Sequence, residues 1–242
     1  MKKNSTPTCS QISCTAGDMN AKNSQLLLKT TLLLLIGILS FSNISAQYSG
    51  TITIPSGSFT GTSALATFID SLNVQGLGGN LTVNVTASYT APTDGYSLGS
   101  AALNSSMAGR TLTFNGNGNI ITAPVGTRSV TTTVAFTGIL DFIWCLRGTD
   151  NVRINNFTFL DPSSNATAAQ QMEAAVAMFN FNATGTFDGC QSISITGNTF
   201  NMANNGGSAV IQAMPHTRFS NTTLGWGAIE DKHRDITITG NT

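Results

Sequence analysis

Residues 151–159, 192–200 and 235–242 read NVRINNFTF, SISITGNTF and DITITGNT, and they align without a gap. In each, apolar or β-branched residues alternate with polar ones, a turn containing Asn or Gly follows, and then Thr. Alternation with a period of two puts one set of side chains on a buried face and the other in solvent, the pattern of a half-buried strand. A strand motif that returns at a long, nearly fixed interval is the signature of stacked repeats. This feature predicts an all-β solenoid.

Val152 and Ile193 are 41 residues apart, and Ile193 and Ile236 are 43 apart. That interval fits one repeat of the same length or two turns of roughly 20–25 residues. The weaker strand-like runs AVAMFNF (175–181) and SAVIQAM (208–214), lying midway, favour two turns. Upstream, NLTVNVTASYT (80–90), RTLTFNGNGNIITA (110–123) and DFIWCLRGTD (141–150) continue the series of short strands bounded by Asn, Gly or Pro. Asn198 and Asn241 stand at the strand-to-turn corner, where an amide tolerates a left-handed bend and can hydrogen-bond the same amide one rung away. Their expected role is structural. The third copy stops at Thr242, where the alignment puts an apolar residue next, so the stack is expected to be cut inside a repeat.

The stretch TSALATFIDSLNVQGLGG (62–79) breaks the strand pattern. Leu65, Phe68, Ile69 and Leu72 fall at i, i+3, i+4 and i+7, Thr62 or Ser63 can cap the start, and Gly76 follows the last apolar turn. An amphipathic helix ahead of a strand stack covers apolar core and backbone groups that a bare first rung would expose. It is expected to be an N-terminal capping helix. Only 9% of residues are charged, against roughly 25% in ordinary domains, which disfavours long helices with charge-laced faces.

Before residue 47 the chain carries Lys2, Lys3, Lys22 and Lys29 with only Asp18, so the remainder is mildly acidic although the formal net charge is +0. A nucleic-acid binder needs a basic stripe to displace phosphate counterions, and none is present. Residues 22–47 run from lysines through an apolar stretch at 32–39 to Ile44-Ser45-Ala46, the order of a secretory signal peptide with cleavage after Ala46. The apolar stretch is too short for a span, which needs about 20 residues. Membrane contact is therefore expected only through the signal peptide. A start at Met19 instead of Met1 gives a leader of ordinary length. The expected organisation is a leader at 1–46, an N-terminal strand and capping helix at 47–79, and rungs at 80–242. Cys145 and Cys190 lie beyond the leader, and export permits a disulfide between them as well as two buried thiols.

The leader ending SAQ, the stretch LATFIDSLNVQGLGGNLTVNVTASYT, the rung LRGTDNVRINNFTFLD and QMEAAVAMFNF followed by GCQSISITGNTF resemble a family of exported right-handed parallel β-helix proteins of Bacteroidetes-type bacteria, with a pectin-lyase-like architecture. The resemblance spans about residues 64–242. It implies secretion or display on the outer cell surface, and its full-length members often carry further repeats, immunoglobulin-like modules and a signal for type IX secretion.

That architecture hosts polysaccharide lyases and glycoside hydrolases, so candidate chemistry has to be read from the residues. A calcium-dependent lyase needs converging carboxylates and a basic residue; a hydrolase needs a facing carboxylate pair. Asp141 and Asp161, twenty residues apart, would stack about 5 Å apart on neighbouring strands if one rung had that length; as turn residues beside strand ends they would do nothing chemical. Glu230, Asp231, Lys232, His233 and Arg234 form the densest polar cluster, either a sugar contact or a solvated loop. Trp226, between two glycines, presents a ring on which a sugar can stack, whereas Trp144 in FIWCL is expected to be packed. His216 and His233 lack metal-ligand spacing, so no metal site is expected, and calcium enters only with the lyase alternative. The leading expectation is an adhesive or glycan-binding scaffold, non-catalytic in this segment, with extracellular polysaccharide as partner. The alternative is a lyase or hydrolase whose catalytic rungs lie partly beyond residue 242. A spacer that binds nothing is the third reading.

Overall fold

In the computed structural model, residues 47–125, 142–166, 170–182, 187–202, 209–217 and 232–242 are described. They are mostly strands, arranged in three sheets whose pairings are parallel except for one short antiparallel pair.

The first sheet has six strands in the order β1 (Tyr48–Ile54), β2 (Leu77–Val85), β5 (Leu112–Asn115), β8 (Val152–Asn155), β12 (Ser194–Thr196) and β15 (Thr237–Thr239). The second contains β4 (Tyr96–Leu98), β7 (Phe142–Arg147), β10 (Ala174–Asn182) and β11 (Phe187–Asp188), with β14 (Ala209–Thr217) also paired to β10. The third contains β3 (Tyr89–Thr90), β6 (Ile120–Thr122), β9 (Thr158–Asp161) and β13 (Thr199–Met202). From β2 onward the chain visits the six-stranded sheet, then the third, then the second, and returns to the first beside the strand it left.

This order corrects the expected period. Ile154 pairs with Ile195, and Ile195 with Ile238. The whole interval between aligned copies, 41 residues between Asn155 and Thr196, is therefore one circuit through the three sheets and not two turns. An earlier circuit is shorter, with Asn84 and Asn115 only 31 residues apart. The midway runs belong to β10 and β14, which build a different sheet.

The inward column of the six-stranded sheet is Val83, Phe114, Ile154 and Ile195, all 0% exposed. Trp144 on β7 meets it from the second sheet, its ring 5.0 Å from Phe114 and 5.8 Å from Phe157. This indole is packed, as its strand context predicts.

Helix α1 (Ala64–Gln75) lies in the connection from β1 to β2 and buries Leu65, Phe68, Ile69 and Leu72. The predicted hydroxyl cap is absent: Ser63 is the N-cap residue and makes no side-chain cap hydrogen bond. Gly76 ends the helix at φ 71° and donates its N–H to the Leu72 carbonyl. Its φ and the Ser106 hydroxyl, 2.7 Å from where a Cβ would stand, leave room for glycine alone. A second, six-residue helix, α2 (Ala101–Ser106), was not legible in the apolar pattern; Ser100 caps it by accepting the Leu103 N–H.

Corners at both ends of each aligned strand are left-handed. Asn151, Ser192 and Asp235 have φ of 53°, 56° and 55°, and Asn156, Gly197 and Gly240 have φ of 56°, 64° and 63°. The bend expected of Asn198 and Asn241 is thus made one residue earlier, where glycine adopts it without steric cost. The amides bond across rungs instead, with Asn198 Nδ2 donating to Asn241 Oδ1 at 3.1 Å.

Candidate functional site

Because the strands stack in register, the outward positions of the six-stranded sheet form two columns. One runs Thr51, Thr82, Thr113, Arg153, Ser194, Thr237. The other runs Thr53, Asn84, Asn115, Asn155, Thr196, Thr239. None of these side chains is buried. Neighbours within a column lie about 4.8 Å apart, and the two columns about 7 Å apart, so the face is a regular array of hydroxyls and amides.

The array is held by bonds along the columns. Asn115 Nδ2 donates to Asn84 Oδ1 at 3.2 Å, and Thr196 Oγ1 donates to Asn155 Oδ1 at 2.7 Å. Side chains fixed this way lose less entropy on meeting a ligand.

Over β8, β12 and the start of β15 the face sinks into an open groove of about 410 Å³. Ser194, Thr196 and Asn155 form its floor, with Ser192 and Thr237 beside them. Arg153 stands on one side and Asp235 on the other. No hydrogen bond or ion pair engages the Arg153 guanidinium among the described residues. Its polar lining suits a hydroxyl-rich ligand, and its breadth of three strands suits an extended one.

Of the residues singled out from sequence, the described ones do not line this groove. Asp141, Trp226, Glu230 and Asp231 lie outside the described residues. Asp161 is 0% exposed, and its two oxygens accept from Asn165 Nδ2 at 2.6 Å and from the Met172 N–H at 2.9 Å. It pins the segment after β9 and is not presented to a ligand. Its in-register neighbour on the next strand of the third sheet is Met202, 41 positions on.

His233 is also structural. Its Nδ1 accepts the Cys190 N–H at 2.9 Å, so Nε2 carries the proton and donates to the Met214 carbonyl at 3.0 Å. Burial lowers its pKa, partly offset by the bond to Met214. Arg234 is exposed and donates to Gln191 Oε1, while the Gln191 N–H donates to Asp150 Oδ1 at 2.9 Å. Burial raises the Asp150 pKa; the Gln191 bond and the Arg234 charge pull it back down. Asp150, Gln191 and Arg234 therefore stack as a corner column just ahead of Asn151, Ser192 and Asp235.

Cys145 and Cys190 form no disulfide; both are buried thiols, with Cys190 Sγ 3.7 Å from the Phe179 carbonyl. Burial pushes the Cys190 pKa up to about 12. Among the described residues no group of three or more His, Cys, Asp or Glu is placed to hold a metal, and no helix is long and apolar enough to cross a membrane.

Arg153, Asp235 and the hydroxyl floor were missed as a site. The signal was present in the alternation itself: Arg153 and Asp235 are the two charged residues of the aligned segments, and both stand at outward positions. No family model, no curated protein and no solved structure matches this chain.

Proposed function

We propose that the chain is an exported right-handed parallel β-helix, covered at its N-terminal side by α1, which binds an extended extracellular polysaccharide along the outward face of the six-stranded sheet without cleaving it. The observation that carries this reading is the polar groove across three in-register strands, floored by Ser194, Thr196 and Asn155. The β-helix reading is supported by three sheets visited in constant order with parallel neighbours, and its right hand by the preference of parallel crossovers. Residues 1–46 act as the leader, residues 47–79 as first strand and cap, and residues 80–242 as rungs. The destination is the outer cell surface or the medium, with type IX secretion as the route.

A regular face with repeated hydroxyl and amide contacts suits weak, multivalent binding, in which each rung adds a small increment. Among the described residues the lining contributes a single carboxylate, Asp235; hydrolysis by the usual mechanism uses two. This favours a binder.

The test is affinity electrophoresis of the chain, recovered after export, through gels carrying different polysaccharides, with the medium assayed for unsaturated and reducing-end products. Retardation without products is expected, and Ser194→Trp, which fills the groove from its floor, abolishes it. Retardation unchanged by Ser194→Trp, or product formation, overturns the proposal.

A further inference from the structure

The two charged side chains of the groove divide it into unlike ends. Arg153 lies on β8, in register with Ser194 and Thr237. Asp235 lies two strands away and two residues back along the chain, ahead of β15. Strand spacing and rise put these backbone positions roughly 12 Å apart. The Debye length at physiological ionic strength is about 8 Å, so each charge acts on what lies beside it more than on the other. Among the described lining residues, those between them are Ser192 and Ser194, which carry hydroxyls and no charge.

Resting on the reading above, we infer that this groove selects a glycan in which an acidic sugar alternates with a neutral one. The acid group, a carboxylate or a sulfate, lies against Arg153, whose planar fork of N–H donors matches either oxyanion. The neighbouring ring then lies over the Ser194 and Ser192 hydroxyls, and its own hydroxyls donate to Asp235. A chain with an acid on every sugar brings a like charge to Asp235, and a neutral chain leaves Arg153 without an anion. Both are disfavoured, for opposite reasons.

The corner geometry makes the test clean. Asp235 has φ 55° and Asn151, at the equivalent corner two strands earlier in the aligned set, has φ 53°, so Asp235→Asn keeps the backbone and removes only the charge. Arg153 is exposed, so Arg153→Ala leaves the core intact. Affinities of the full chain are compared by affinity electrophoresis for hyaluronan (carboxylate, alternating), chondroitin sulfate (carboxylate and sulfate, alternating), polygalacturonate (acid on every sugar) and dextran (neutral).

The alternating glycans are expected to bind about tenfold more tightly than dextran, the worth of one charge-assisted hydrogen-bonded pair. Arg153→Ala removes that preference while keeping the weak dextran binding, and Asp235→Asn raises polygalacturonate affinity without changing dextran. A stronger response to chondroitin sulfate than to hyaluronan assigns the anion as sulfate, and equal responses assign it as carboxylate. Equal binding of dextran and hyaluronan that persists in Arg153→Ala overturns this inference and leaves glycan binding standing. Tightest binding of polygalacturonate by the unmodified chain also overturns it. Binding to none of the four overturns both.

Discussion

Replacing Asn198 by alanine tests how the stack is held at its corner. Asn198 is 1% exposed. Its Oδ1 accepts the Phe157 N–H at 2.9 Å, and its Nδ2 donates to the Ile154 carbonyl at 2.9 Å and to Asn241 Oδ1 at 3.1 Å. Its backbone N–H donates to the same Asn241 oxygen at 2.8 Å. Alanine strands a buried N–H on the preceding rung and deprives a buried carbonyl of its donor, each worth ~1–3 kcal/mol when left unmade. The expected loss is about 3 kcal/mol. Asn241 is only half-buried, so water replaces much of what Asn241→Ala removes, and its loss is about 1 kcal/mol. Because the two amides share a bond, the double variant loses less than the two single losses together, by roughly 1 kcal/mol. Urea unfolding followed by far-ultraviolet circular dichroism reads these as midpoint shifts at unchanged slope. Equal losses for the two single variants, or an Asn198→Ala loss within about 0.5 kcal/mol of zero, the range of an ordinary surface change, would refute the ladder as the source of rung stability.

Three further outcomes follow from buried groups. Asp161→Asn turns an amide N–H₂ toward donors at Asn165 and Met172, and should lower the thermal midpoint by the equivalent of about 2 kcal/mol; an unchanged midpoint would mean the carboxylate does not pin that segment. Cys145 and Cys190 should both resist an aromatic disulfide reagent in the native protein and react together on unfolding, since both are buried and the Cys190 pKa is pushed up to about 12; rapid native reaction of either contradicts the packing. His233 has a folded pKa below its unfolded value of 6.5, so the unfolded chain takes up the proton first. Its contribution is complete above pH 6.5 and is lost as pH falls below it. Urea midpoints between pH 7.5 and 5 should decline, and His233→Gln should flatten that part of the decline; a decline identical in the variant assigns it to other groups.

Much of the strand architecture was legible because the six-stranded sheet has one buried face and one wet face, so its strands alternate. The period was misjudged because the other strands of each circuit obey different rules. Residues 174–180 of β10 are buried on both faces, so that strand reads as a plain apolar run and resembles a weak copy of the repeat. The corner asparagines were legible as structural, but their bend was not: the left-handed residue is Gly197 or Gly240, and the amide beside it bonds across rungs. At the candidate site the difficulty was of another kind. Asp161 and Asp235 both stand near strand ends in polar sequence, and what separates them is a buried Asn165 amide and a Met172 N–H. Such partners come from the fold and leave no mark on local pattern.

The length variation between circuits bears on why the proposed ligand face is placed on this sheet. Successive strands of the six-stranded sheet are separated by 31 residues early in the stack and by 41 and then 43 later, yet the register of outward residues is kept from β2 to β15. In the last three rungs a single left-handed residue on each side of the strand sets its entry and exit, so length changes there are absorbed in the segments before and after the strand. A one-residue slip would turn Ser194 and Thr196 inward and Ile195 outward, which the buried column of Ile154 and Ile195 forbids. The same apolar column that stabilises the stack therefore fixes the spacing of the hydroxyls on its outer side, and groove contacts on adjacent rungs keep a common repeat whatever the chain does between them.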